Sequence, residues 1–113
     1  MKQKFQIEFL EEASAFLDQL EEKARNKVLY TMRSAQLNAD KELFKKLTDD
    51  IWEFRTFYNK THYRLFAFWD KSSKTATVVV ATHGLVKKTG KTPPADLAKA
   101  ERLRKQYLEQ KTK

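Results

Sequence analysis

Two arginines, Arg55 and Arg64, flank the dipeptide Asn59-Lys60 in a stretch rich in aromatic residues. If Asn59-Lys60 is a two-residue loop, Tyr58 faces Thr61 and Arg55 faces Arg64 across an antiparallel strand pair. Like charges directly opposed on a sheet repel. Two readings are open. Both side chains can bend to solvent or be bridged by Glu53. Alternatively, their planar forks are held apart to receive an anion, a phosphate for preference. A basic cluster of Lys87, Lys88 and Lys91 follows downstream, and it reads either as a solvated turn or as phosphate contacts beside the arginines. Lys45 and Lys46 lie just before the strand of Arg55 and could rim the same face.

The remaining reactive side chains narrow the chemistry. His62 and His83 are the only histidines and there is no cysteine, so neither a metal-ligand pattern nor a disulfide framework is present. Each histidine reads more readily as a surface or strand-end residue than as a catalyst. There is no Gly-rich phosphate loop, no serine nucleophile motif and no paired-carboxylate site, and no cofactor is expected. A site of Arg and Lys with His or Glu suits phosphodiester cleavage in RNA. There the substrate carries its own nucleophile, the 2′-hydroxyl, and the protein supplies proton transfer and cations for the crowded phosphate.

Charge supports a polyanionic partner. The chain has 113 residues and a formal net charge of +8. Residues 1–40 hold six Lys/Arg and seven Asp/Glu, residues 41–91 hold eleven and five, and residues 92–113 hold six and three. The excess therefore falls in the second half, where it can release counterions from a nucleic acid. No apolar stretch long enough for a signal peptide or a membrane span occurs, which points to the cytoplasm.

Those residues need a scaffold, and the hydrophobic pattern supplies one domain over residues 1–113. Lys2–Phe9 alternates as a half-buried strand, with Phe5, Ile7 and Phe9 on one side. Leu10–Glu22 changes to helical spacing through Leu10, Ala13, Leu17 and Leu20. A second helix runs from about Ala24 to Leu37, with Ala24, Val28, Met32 and Ala35 as its inner stripe. Lys41–Asp50 reads as a connector. Strands follow over Ile51–Tyr58, His62–Trp69 and Thr75–Val86, and the last contains Val78-Val79-Val80, a run suited to a central strand. Gly84 suggests a bend or bulge. Thr92-Pro93-Pro94 breaks the chain before a last helix, Ala95–Gln110, with Leu97, Ala100, Leu103, Tyr107 and Leu108 near one face. The order βααβββα predicts an α+β fold, an antiparallel meander carrying the helical hairpin on one face.

If Ser72-Ser73 forms the next two-residue loop, Arg64 faces Ala81 and His62 faces His83. One face then carries Trp52, Phe54, Tyr63, Leu65, Ala67, Val78 and Val80 and takes the hairpin. The other carries Glu53, Arg55, His62, Arg64 and His83, flanked by Phe57, Phe66 and Phe68.

Four pieces in sequence carry a resemblance: Ile51-Trp52-Glu53-Phe54-Arg55, Tyr63-Arg64-Leu65-Phe66, Thr82-His83-Gly84-Leu85-Val86-Lys87-Lys88 through Pro93, and a helix with Ala100 and Arg102. Together they resemble the phage-derived HigB-like branch of the RelE/ParE toxin superfamily, over residues 44 to 107. The resemblance implies the toxin of a type II toxin–antitoxin system, a ribosome-dependent endoribonuclease that cuts mRNA in the decoding site and so inhibits translation. It implies a cognate helix-turn-helix antitoxin. It assigns Arg55 and Arg64 to the scissile phosphate, and Lys87 and Lys88 to RNA contact. Glu53 becomes a base or an arginine orienter. His83 matches a family histidine without a uniform role. Leu85 stands where the family pattern has an aromatic, which removes a base-stacking ring from that position. Two alternatives stay open: a ParE-like toxin acting on DNA gyrase, and a non-catalytic RNA-binding module of the same fold.

Overall fold

A computed structural model describes residues 4–38, 40–72, 77–88 and 91–111. The elements are β1 (Gln6–Phe9), α1 (Glu11–Gln19), α2 (Glu22–Asn38), β2 (Phe44–Lys46), β3 (Trp52–Tyr58), β4 (Thr61–Asp70), β5 (Val78–Lys87) and α3 (Pro94–Lys111). The five strands form one sheet in the order β1-β5-β4-β3-β2. β1 runs parallel to β5, and the other three pairings are antiparallel. The α+β class and the three helices agree with the sequence reading. Two features depart from it: the connector contains β2, and β1 joins the meander as a parallel edge.

Asn59 and Lys60 both adopt left-handed backbone, with φ of 52° and 58°. Two such residues in succession make the tight turn whose twist suits a hairpin. The register follows: Tyr58 pairs with Thr61 and Arg55 with Arg64, as expected.

The β4–β5 register does not follow expectation. Arg64 pairs with Leu85 rather than Ala81, and His62 with Lys87 rather than His83. The cause is the connection. β4 ends at Asp70 and β5 begins at Val78, so a longer segment replaces the two-residue loop at Ser72-Ser73. Part of that expected turn, with Thr75 and Ala76 of the expected strand, lies outside the described residues. Thr82 adds a bulge, because Phe66 pairs with His83 while Ala67 already pairs with Ala81. One extra residue reverses the alternation of everything before it. Val79 and Ala81 therefore join Phe54, Leu65 and Ala67 beneath the α1–α2 hairpin. Val78 and Val80 turn to the opposite face, where they pack with Phe66, Phe68 and Ala100 of α3. The sheet is thus buried on both sides, and the three central valines serve both cores.

The helical stripes match these faces. Ala13 and Leu17 of α1, with Val28, Met32 and Ala35 of α2, are buried in the hairpin core. Phe66, Phe68 and Val80 have no exposure beneath α3. Each such burial stabilises by roughly 1.5–3 kcal/mol, enough to make α3 an integral layer. Gly84 lets α1 approach: a Cβ there would overlap the Phe16 ring.

Candidate functional site

β3, β4 and β5 place three rows of side chains on the α3 side of the sheet. Glu53, Phe66 and His83 form one row, Arg55, Arg64 and Leu85 the next, and Phe57, His62 and Lys87 the third. α3 covers the first row through Ala100 and its first turn. In the second row Leu85 packs against the same core and Arg64 is buried, while the third row carries the exposed Phe57.

Glu53 organises the arginines. Its Oε2 accepts from Arg64 Nη1 at 3.2 Å and lies 3.6 Å from Arg55 Nε. Its Oε1 accepts from the Thr92 hydroxyl at 3.2 Å. Both carboxylate oxygens are engaged, so the group is arranged to orient guanidinium groups. The bridge considered for Glu53 is the arrangement present, and it resolves the repulsion between Arg55 and Arg64. Glu53 and Arg64 are buried, whereas the Arg55 side chain is 35% exposed. Burial lowers the pKa of Arg64; Glu53 opposes that effect and Arg55 adds to it. Two positive charges and one negative leave the trio at +1, with Arg55 as its outward fork.

His83 takes another place. It is buried, its ring stacks on Phe66 at 4.8 Å, and its Nε2 lies 3.1 Å from Asp96 Oδ1 in the first turn of α3. Its Nδ1 lies 3.1 Å from the bulge residue's hydroxyl, Thr82 Oγ1. A neutral ring protonated on Nε2 donates to Asp96, while the Thr82 hydroxyl beside Nδ1 donates to the Phe66 carbonyl at 3.3 Å. Burial lowers the His83 pKa more than its hydrogen bond to Asp96 raises it, and Lys99 adds to the lowering. His83 therefore pins the start of α3 to the sheet. The far end of α3 is held by buried Asp70, which accepts from Tyr107 and Lys111, each at 2.7 Å. Burial pushes the Asp70 carboxyl up, yet its hydrogen bonds from Lys111, Ser72 and Tyr107 together hold it well below the usual carboxylate range. Burial and the bond to Asp70 push Tyr107 up to about 12.

The lysines occupy the rim. Lys87 shares the face and lies opposite His62, and Lys88 follows it, exposed. Lys45 pairs with Glu53 and so lies on this face; Lys46 pairs with Trp52 and lies on the other. Lys91 is exposed, one residue before Thr92. The structure thus brings Glu53, Arg55 and Arg64 into contact, sets Lys45 and Lys87 on the same face, leaves Lys88 and Lys91 exposed in the segment between β5 and α3, and separates His83 and Lys46. Sequence reasoning missed Thr92 and Asp96. Thr92 precedes two prolines and Asp96 falls in the first turn after them, where a polar side chain commonly caps or pins a helix. That placement was the available signal.

Among the described residues, no group of three His, Cys, Asp or Glu is placed to hold a metal. None of the described helices is long and apolar enough to cross a membrane.

Residues 15–105 match the family described as phage derived protein Gp49-like (DUF891). The chain belongs to that family, which is of the RelE/HigB-like toxin type. No curated protein matches the chain.

Proposed function

We propose that this protein is the toxin of a type II toxin–antitoxin pair, an endoribonuclease that cuts mRNA on the ribosome. The observation that carries the reading is Glu53 holding Arg55 and Arg64 side by side at the mouth of a basic face. A fixed guanidinium pair suits the crowded, doubly charged phosphate of an RNA cleavage transition state. In this reading the substrate's 2′-hydroxyl passes its proton to water as its oxygen attacks phosphorus, the P–O5′ bond breaks, and the leaving 5′-oxygen takes up a proton from water. The products are a 2′,3′-cyclic phosphate and a 5′-hydroxyl end. Arg55 contacts the phosphate and Arg64 fixes Glu53. Lys87 stabilises the leaving oxygen. Lys45, Lys88 and Lys91 bind flanking phosphates. His83 acts as a positioning residue through α3. A net charge of +8 draws the chain to ribosomal RNA and messenger alike. The partner that silences it is a helix-turn-helix antitoxin.

The test is expression in growing bacteria with mapping of RNA ends. The reading expects translation to stop and new 5′ ends to accumulate inside translated regions. Gyrase-dependent DNA breaks with intact messengers would replace it by the gyrase-directed alternative.

A further inference from the structure

We infer that the cleft around the open end of β3 is a nucleotide subsite, where one base of single-stranded RNA stacks on Phe57 while its phosphate rests on Arg55. The inference rests on the RNA-directed reading above and names how that substrate is held.

The cleft has a volume of about 530 Å³ and is lined by Lys27 and Tyr30 of α2 and by Arg55, Phe57, His62 and Arg64. It exists because β2 is short. β2 pairs with β3 only from Trp52 to Phe54, and the last bond on that side runs from the Arg55 N–H to the Leu43 carbonyl. Beyond that point the strand edge is uncovered. Phe57 follows two residues later on the same face as Arg55.

Phe57 is 65% exposed and Tyr30 is 71% exposed. Phe66 and Phe68, on the same sheet face, are wholly buried under α3. An aromatic ring left outside beside cations is the arrangement that single-stranded nucleic acid grooves use, where rings take bases and cations take phosphates. The Phe57 ring lies 4.7 Å from the His62 ring, tilted by 48°, so its orientation is supported from one side. Arg55 and Phe57 are ~7 Å apart along the strand, within the reach of one nucleotide. Leu85 flanks Arg64 on the β5 side and offers no ring. Phe57 flanks the arginines on the other side and supplies one.

The probe is a single-stranded hexaribonucleotide carrying 2-aminopurine, whose fluorescence is quenched by stacking, titrated at low salt. Wild-type protein should bind and quench. Because Phe57 is exposed, Phe57→Ala should stay folded, bind about tenfold more weakly or worse, and lose the quench, while Phe57→Tyr keeps both. Equal affinity and quench in Phe57→Ala would overturn the subsite and leave the RNA reading standing. Failure of the wild type to bind the oligonucleotide would also overturn the subsite, while the ribosome-dependent reading stands or falls on cleavage of a translated messenger.

Discussion

Removing Arg64 should unfold the site before it disables it. Arg64 and Glu53 are both buried and lie 3.2 Å apart. At an effective dielectric of about 20, that separation corresponds to a gross attraction of ~5 kcal/mol. Arg64→Ala leaves Glu53 buried with the Thr92 hydroxyl and Arg55, whose side chain is 35% exposed and 3.6 Å away. Breaking one side of such a pair typically costs ~3–5 kcal/mol, because the remaining charge keeps its desolvation penalty. With a urea slope of ~2 kcal/mol per molar, the unfolding midpoint should fall by about 2 M. The double variant Glu53→Met/Arg64→Met removes both charges and should recover most of that loss. Urea titrations of Glu53→Met, Arg64→Met and the double variant, followed by circular dichroism, supply the full cycle, with an expected coupling of ~2 kcal/mol or more. A cost below ~1 kcal/mol for Arg64→Ala, or strict additivity in the double variant, would refute the claim that Glu53 and Arg64 form one buried unit.

Other perturbations address the scaffold. Gly84→Ala should cost ~1–3 kcal/mol by forcing the Phe16 ring away from β5, and an unchanged melting temperature would mean that α1 does not press there. Lys60→Gly should stabilise by ~1 kcal/mol, since it relieves a left-handed side-chain-bearing residue; a destabilised variant would contradict the turn geometry. His83 has a lowered pKa in the folded chain, chiefly from burial, whereas the unfolded chain takes up its proton near pH ~6.5. Below that pH the unfolded state binds more protons, so stability is present above it and declines as pH falls toward the folded pKa. The melting temperature should therefore drop from about pH 7.5 to pH 5, and less steeply in His83→Gln. Equal slopes would place the acid sensitivity elsewhere.

The legible parts of the fold were those written in local pattern. The turn at Asn59-Lys60 fixed the pairing of Arg55 with Arg64 because two residues leave no slack between strands. The stripes Ala13/Leu17 and Val28/Met32/Ala35 declared which sides of α1 and α2 face inward. The β4–β5 pairing was not legible, because β4 ends at Asp70, β5 begins only at Val78, and Thr82 inserts a bulge. Neither leaves a periodic signal, and together they exchanged the faces of Val78 and Val80. β2 was hidden by its length, since Phe44-Lys45-Lys46 is too short to show alternation. Within the site, the Arg–Glu–Arg grouping was visible from spacing. The removal of His83 from the open face was not, since it depends on where α3 docks through Asp96.

The most direct measurement is a reconstituted translation reaction programmed with a defined messenger, sampled over time for cleavage. Arg55 is the more exposed arginine of the trio, and its substitution should cost little stability because its side chain is 35% exposed. Wild-type protein should cut the messenger only when ribosomes are present, leaving a 5′-hydroxyl on the downstream fragment. Arg55→Ala, equally folded, should cut at least about tenfold more slowly, the loss expected for one charge-assisted hydrogen bond. Intact messenger after prolonged incubation of translating ribosomes with folded wild-type protein would contradict the proposed activity. Undiminished cutting by Arg55→Ala would move the phosphate site elsewhere.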